Sequence, residues 1–164
     1  MKIKIEKLSK NELWEFYGLI IKRLKELGCI RTRNITGERG EQLVINFYNN
    51  QKHLPKLQLA PPSTQNVDAL SKKGERYAIK TIKEPNSTTG VFYGIDRDIN
   101  KTKQKFEYLI IVIIDDLFQL HKIIEIRWDI VIKYIKWHSR VKAYNISLTK
   151  DLVKNSRFRY EKKK

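Results

Sequence analysis

Cysteine is almost absent from this sequence. The single Cys29 cannot close an internal disulfide, so the fold must rest on a packed core, and a cytoplasmic rather than a secreted protein is expected. Histidine is scarce as well. His53, His121 and His138 are scattered without ligand-like spacing, which argues against a His/Cys metal centre and leaves carboxylates as the credible ligands for a cation. Long apolar runs are missing: the longest, from Leu109 to Ile114, is about a third of what a membrane span requires. The N-terminal MKIKIEKLSK has no apolar stretch of signal-peptide length, so no membrane partner is expected. Acidic residues are in deficit, with 18 Asp and Glu against 34 Lys and Arg and a formal net charge of +16. That imbalance points to a polyanionic partner, nucleic acid first; a generally Lys-rich composition is the plainer alternative. No repeat or linker-like stretch divides the 164 residues, and 41% hydrophobic residues suffice for a core, so one domain over 1–164 is expected.

Periodicity supplies the elements. Leu13, Phe16, Tyr17, Ile20, Ile21, Leu24 and Leu27 follow helical spacing over 11–27, with Ser9 or Asn11 to cap the start and Gly28 to end it. A basic connection, CIRTRNIT, leads to a second helix over 37–49 with Leu43, Val44 and Phe47 as its stripe. Residues 51–62 read as irregular. Residues 66–70 and 76–82 read as short strands around SKKGE, where Gly74 supplies the turn. The continuous apolar stretch Tyr108–Ile114 reads as a strand buried on both faces. Asp115 and Asp116 turn into a further strand over 118–127, and Asp129 is placed as the cap of a helix reaching Trp137. The expected parts are an N-terminal helix within 10–28, a core over 36–140 and a basic tail from about 145 to 164, partly disordered. The fold class is therefore α/β or α+β, a central mixed β-sheet flanked by helices.

Three residues stand out once these elements are placed. Asp68 opens the first middle strand. Lys80 lies on the next strand, on the face of Ala78, because side chains repeat every two residues. Glu41 borders the apolar stripe of the second helix, with Val44 and Tyr48 at i+3 and i+7. Two carboxylates and a lysine on neighbouring elements suit metal-assisted phosphodiester hydrolysis. The carboxylates would hold Mg²⁺, or Mn²⁺ in its place, which would polarise the phosphate and acidify a bound water. The lysine would position that water or offset developing charge.

GERGEQLV, LAPPSTQNVDAL and the hairpin SKKGERYAIK together resemble the PD-(D/E)xK nuclease superfamily, in particular its restriction-endonuclease-like branch related to Mrr. The resemblance covers residues 31–82, about a third of the chain. It implies a restriction-endonuclease-like fold, Glu41 as the helix acid, Asp68 as the strand acid and Lys80 as the lysine, with the Ile79 carbonyl as a further metal ligand. It also implies a restriction-type, Mg²⁺-dependent endonuclease on double-stranded DNA, for which a homodimer would supply the two active sites of a duplex cut. One departure stands against it: two residues before the lysine the family carries Glu, Asp or Gln, and this sequence has Ala78.

Each residue alone has a plainer reading: Asp68 as a turn residue, Lys80 as an edge-strand lysine, and Glu41, with Glu38 beside it, as a first-turn acid complementing the helix dipole. Two alternatives to the nuclease follow, a catalytically impaired DNA-binding protein of the same fold and a basic structural or RNA-associated protein. Candidate nucleic-acid contacts are Arg31 and Arg33 before the Glu41 helix, Ser87, Thr88 and Thr89 in the loop after the lysine strand, and the alternating Lys101, Lys103 and Lys105. Tyr93 and Phe92 are the stacking candidates, whereas Trp128 and Trp137 read as core or interface residues.

Overall fold

The computed structural model of the protein describes residues 4–163. The first three residues of the basic N-terminus and the final lysine of the EKKK tail lie outside the described residues. Helix α1 spans Lys10–Glu26 and opens on a complete capping box, in which the Ser9 side chain accepts from the Glu12 N–H and the Glu12 carboxylate from the Ser9 N–H. It ends at Gly28, whose positive φ lets the Gly28 and Cys29 N–H groups return to the Lys25 and Leu24 carbonyls. Helix α2 spans Ile35–Asn50, capped by the Asn34 side chain on the Gly37 N–H.

Strands β1 (Leu57–Leu59), β2 (Ala69–Ser71), β3 (Arg76–Lys83), β4 (Tyr108–Ile114), β5 (Leu120–Arg127) and β8 (Arg157–Glu161) form one six-stranded mixed sheet in the order β1-β2-β3-β4-β5-β8. All neighbours are antiparallel except β3 and β4, which run parallel. The α/β expectation of a central mixed sheet with flanking helices therefore holds. β4 is buried along almost its whole length on both faces, as its unbroken Ile/Val/Leu run requires. One face packs Val44 and Tyr48 of α2 against Tyr77, Ile79, Ile110 and Val112. The other packs Ala78, Ile82, Leu109, Ile111 and Ile124 against Phe92, Phe106 and Val131.

Several boundaries differ from the sequence expectation. The late helix, α3, is only Trp128–Tyr134, and Arg127 rather than Asp129 stands at its N-cap position. Residues 135–138 leave it to form strand β6 (Ile135–His138), which pairs with β7 (Ala143–Ile146) in a separate hairpin. The basic tail is ordered through helix α4 (Lys150–Lys154) and β8. Its anchor is Arg159, which reaches the buried Glu125 carboxylate at 2.6 Å while the Tyr48 hydroxyl donates to the same carboxylate at 2.7 Å. A buried carboxylate without such partners would be strongly destabilising. Residues 51–62 are not wholly irregular, since β1 pairs with β2 there. Among the described residues, no helix is long and apolar enough to cross a membrane.

Candidate active site

The site lies where two strands part. β2 pairs with β3 only at Ala69–Tyr77 and Leu70–Arg76, so beyond Tyr77 that edge of β3 has no strand partner. Asp68, one residue before β2, fills the fork. Its N–H donates to the Tyr77 carbonyl at 2.8 Å, and its Oδ2 accepts from the Ile79 N–H at 2.7 Å. In an extended strand the N–H and C=O of one residue point to the same edge. The Ile79 carbonyl therefore faces the fork beside the Asp68 carboxylate.

Helix α2 brings Glu41 to the same place. Gly40 makes the approach possible: a Cβ there would overlap the Thr81 hydroxyl of β3, so only glycine lets the helix settle this close to the strand. Glu41 and Asp68 line one small pocket of about 60 Å³, with Arg31, Thr32, Glu38 and the 60–64 loop as its other walls. Burial, and next the Asp68 charge, push the Glu41 carboxyl up to about 7 against the opposing pull of Arg31. Burial likewise raises Asp68, opposed by the Ile79 N–H, Lys80 and Arg31. Lys80 is lowered by burial, while the charges of Asp68 and Glu41 act to hold its proton. The three residues thus share one electrostatic neighbourhood. The Lys80 ammonium itself donates to the Val91 carbonyl at 3.1 Å and lies 4.9 Å from the centre of the Phe92 ring, on the face of β3 that carries Ala78 and outside the pocket that Glu41 and Asp68 line.

Two participants escaped the sequence reading. Arg31, expected to contact nucleic acid, is turned inward: it donates to Glu41 at 2.6 Å, to Glu38 at 3.2 Å and to the Ala60 carbonyl at 3.3 Å. Glu38, read as a first-turn helix acid, is 4% exposed, and its Oε1 has no hydrogen-bond partner. The signal for both was present, because Glu38 and Glu41 stand at i and i+3 on one helix face directly after a basic connection.

The remaining expectations divide. Thr89 is buried, with its hydroxyl donating to the Gly90 carbonyl and accepting from the Ile146 N–H, and Thr88 bonds Ser147. The Ser87 carbonyl accepts from Leu148, so the 87–89 loop is stitched to the end of β7 rather than presenting three free hydroxyls. Arg33, Ser87, Lys101 and Lys103 are exposed. Phe92 is core, correcting its reading as a stacking surface, whereas Tyr93 is 59% exposed. Asn66 donates to the Tyr93 carbonyl at 2.8 Å, which ties the backbone at Tyr93 to the loop before Asp68. Ala78 is 1% exposed and joins the apolar core with Ile82 and Phe92, so the departure from the family pattern is a packed position rather than an open one.

Among the described residues, no group of three or more His, Cys, Asp or Glu side chains is arranged to hold a metal ion. The fork nonetheless offers Asp68, Glu41 and the Ile79 carbonyl, an all-oxygen set of the kind that Mg²⁺ or Mn²⁺ takes together with waters. One buried oxygen of Glu38, Oε1, has no hydrogen-bond partner beside this set, although Arg31 pairs with Glu38 and Glu41 and, against burial, holds the Glu38 carboxyl below its usual value. The residues present fit a divalent cation of low protein-ligand number. No protein-family model matches the chain, and comparison with curated proteins found no match.

Proposed function

We propose that the protein is a metal-dependent endonuclease on double-stranded DNA, built on the plan of the PD-(D/E)xK nucleases. The observation that carries this reading is the fork. Asp68 bridges to the Ile79 N–H across diverging strands, Glu41 enters the same pocket from α2, and Lys80 follows Ile79 on the same strand. Asp68, Glu41 and the Ile79 carbonyl would hold the cation, which when bound supplies an acidified water and a polarised phosphate. Lys80, lowered by burial but with both carboxylates acting to hold its proton, would offset charge on the phosphate oxygens. Arg31 keeps Glu41 oriented, and the exposed Tyr93 offers a base a surface beside the fork.

A second reading has its own support. The packed Ala78 offers no side-chain ligand, and Arg31 already neutralises part of the acidic pair, as suits a protein of this fold that binds DNA without cutting it. Nicking of supercoiled plasmid in Mg²⁺ separates the two. The nuclease reading expects cutting by the native protein, and Asp68→Ala should lower it by at least a hundredfold while salt-dependent binding persists. Equal nicking by native protein and Asp68→Ala would place the chemistry elsewhere. Binding with no nicking in Mg²⁺ or Mn²⁺ would favour the second reading.

A further inference from the structure

Arginines elsewhere in the fold grip a carboxylate side-on. Arg76 sets Nε and Nη2 on the two oxygens of Glu107, at 3.2 and 2.7 Å. Arg127 does the same with Asp129 at 3.0 and 3.1 Å, and Arg159 with Glu125 at 3.2 and 2.6 Å. A planar guanidinium and a planar carboxylate favour this two-bond match. Arg31 departs from it by dividing the same edge between two acids. Its Nε donates to Glu38 Oε2 at 3.2 Å, but its Nη2 donates to Glu41 Oε2 at 2.6 Å. Glu38 Oε1, the oxygen that Nη2 would take in a side-on pair, is buried without a hydrogen-bond partner.

A carboxylate oxygen left unpaired on a side chain only 5% exposed carries a desolvation cost. One small movement removes it. Turning Nη2 from Glu41 to Glu38 Oε1 keeps the Nε bond, completes the side-on pair and frees Glu41. The bond from Nη1 to the Ala60 carbonyl, long at 3.3 Å, resists the turn little. Glu38 is the firmer anchor of the two acids: burial works against its charge, yet Arg31, with Thr32 beside it, holds its carboxyl below the ordinary value. Glu41 is more open and lines the same pocket as Asp68. The guanidinium therefore has two arrangements that leave different charge in the fork. With Nη2 on Glu41 that acid is neutralised; with Nη2 on Glu38, Glu41 and Asp68 stand as a pair that a cation would stabilise.

We propose that Arg31 gates the cation site by moving between the two acids. It neutralises Glu41 when no cation is bound, and closes side-on onto Glu38 when a divalent cation engages Glu41 and Asp68. The gate rests on the reading of the fork as a cation site. Arg31 acts as a positioning residue, through Glu41. The consequence is that cation affinity depends on Glu38, which is outside the ligand set, because the guanidinium leaves Glu41 readily only where Glu38 can accept it.

Titration of the native, nitrogen-15-labelled protein with Mg²⁺ reads the movement. The Ile79 amide, bonded to Asp68, reports filling of the fork, and the Arg31 Nε–H reports the guanidinium. Both signals should shift along one saturation curve. A shift at Ile79 with an unmoved Arg31 signal would overturn the gate and leave the cation site standing. No shift at either would overturn the cation site as well, and the nuclease reading with it. Mn²⁺ affinity in a double-mutant cycle separates movement of Arg31 from the charge of Glu38. Glu38→Gln should weaken Mn²⁺ binding about tenfold in the native background, where Arg31 then stays on Glu41, and less than about threefold in an Arg31→Gln background. Equal losses in the two backgrounds would show that Glu38 acts by its charge alone and would overturn the proposal. The Mg²⁺ titration uses the native chain and so does not depend on the folding of any variant.

Discussion

Burial and the neighbouring Asp68 carboxylate move the Glu41 carboxyl up to about 7 from an ordinary value near 4.5, with Arg31 pulling the other way. The sign has two consequences. Between those values the folded protein binds the proton more tightly than the unfolded chain, so Glu41 costs stability as pH rises through the window, on the order of 3 kcal/mol by pH 7. Glu41→Gln should therefore be more stable than the native protein above pH 7, with the difference vanishing towards pH 4.5, as denaturant unfolding at several pH values would show. The proton also competes with a cation. Mn²⁺ affinity, followed by paramagnetic resonance, should rise about tenfold per pH unit below 7 and level off above it, and Glu41→Gln should bind weakly at all pH. A pH-independent Mn²⁺ affinity would remove Glu41 from the metal shell. The places of Glu41 on α2 and Lys80 on β3 were legible because helical spacing and strand alternation fix each one locally, whereas Asp68, expected to open a strand, lies one residue before β2. The Arg31–Glu38–Glu41 contacts were not legible, because they depend on how a non-helical connection folds back over the start of α2.

The contact of α2 with β3 is the element-level feature that builds the site. Gly40 sits against Thr81, and any side chain there must push the helix outward. Gly40→Ala should lower stability by about 1–3 kcal/mol even though alanine favours helix, since overpacking outweighs the gain in propensity. It should also weaken Mn²⁺ binding, because Glu41 is the next residue on the displaced turn. Thermal unfolding and metal titration of this variant check both effects, and a stabilised Gly40→Ala would show that the helix does not bear on the strand. Elements set by one-dimensional periodicity were read correctly: α1, α2, β3 and β4 lie within a few residues of their expected bounds. Those set by long-range pairing were not. Residues 135–138 continue a helical pattern in sequence but form β6 because 143–146 offers a strand partner. The basic tail is a strand because Arg159 and Tyr48 together satisfy Glu125, a buried charge that no local pattern announces.

Over the whole molecule the surplus of 16 positive charges dominates long-range behaviour. If duplex DNA is the partner, each neutralised phosphate releases counterion, and with some six contacts affinity should fall by roughly a thousandfold between 50 and 200 mM salt. Fluorescence anisotropy with a labelled duplex at the two salt concentrations measures the slope, and a flat slope would exclude a backbone-led interaction. Charge alone says nothing about chemistry. That rests on whether the fork at Asp68 takes a divalent cation, and the most direct measurement is anomalous diffraction from crystals soaked in Mn²⁺. The expected result is one peak at about 2.0–2.6 Å from oxygens of Asp68 and Glu41 and from the Ile79 carbonyl. A Mn²⁺ peak elsewhere, or an empty fork with the Arg31–Glu41 ion pair intact at saturating Mn²⁺, would contradict it.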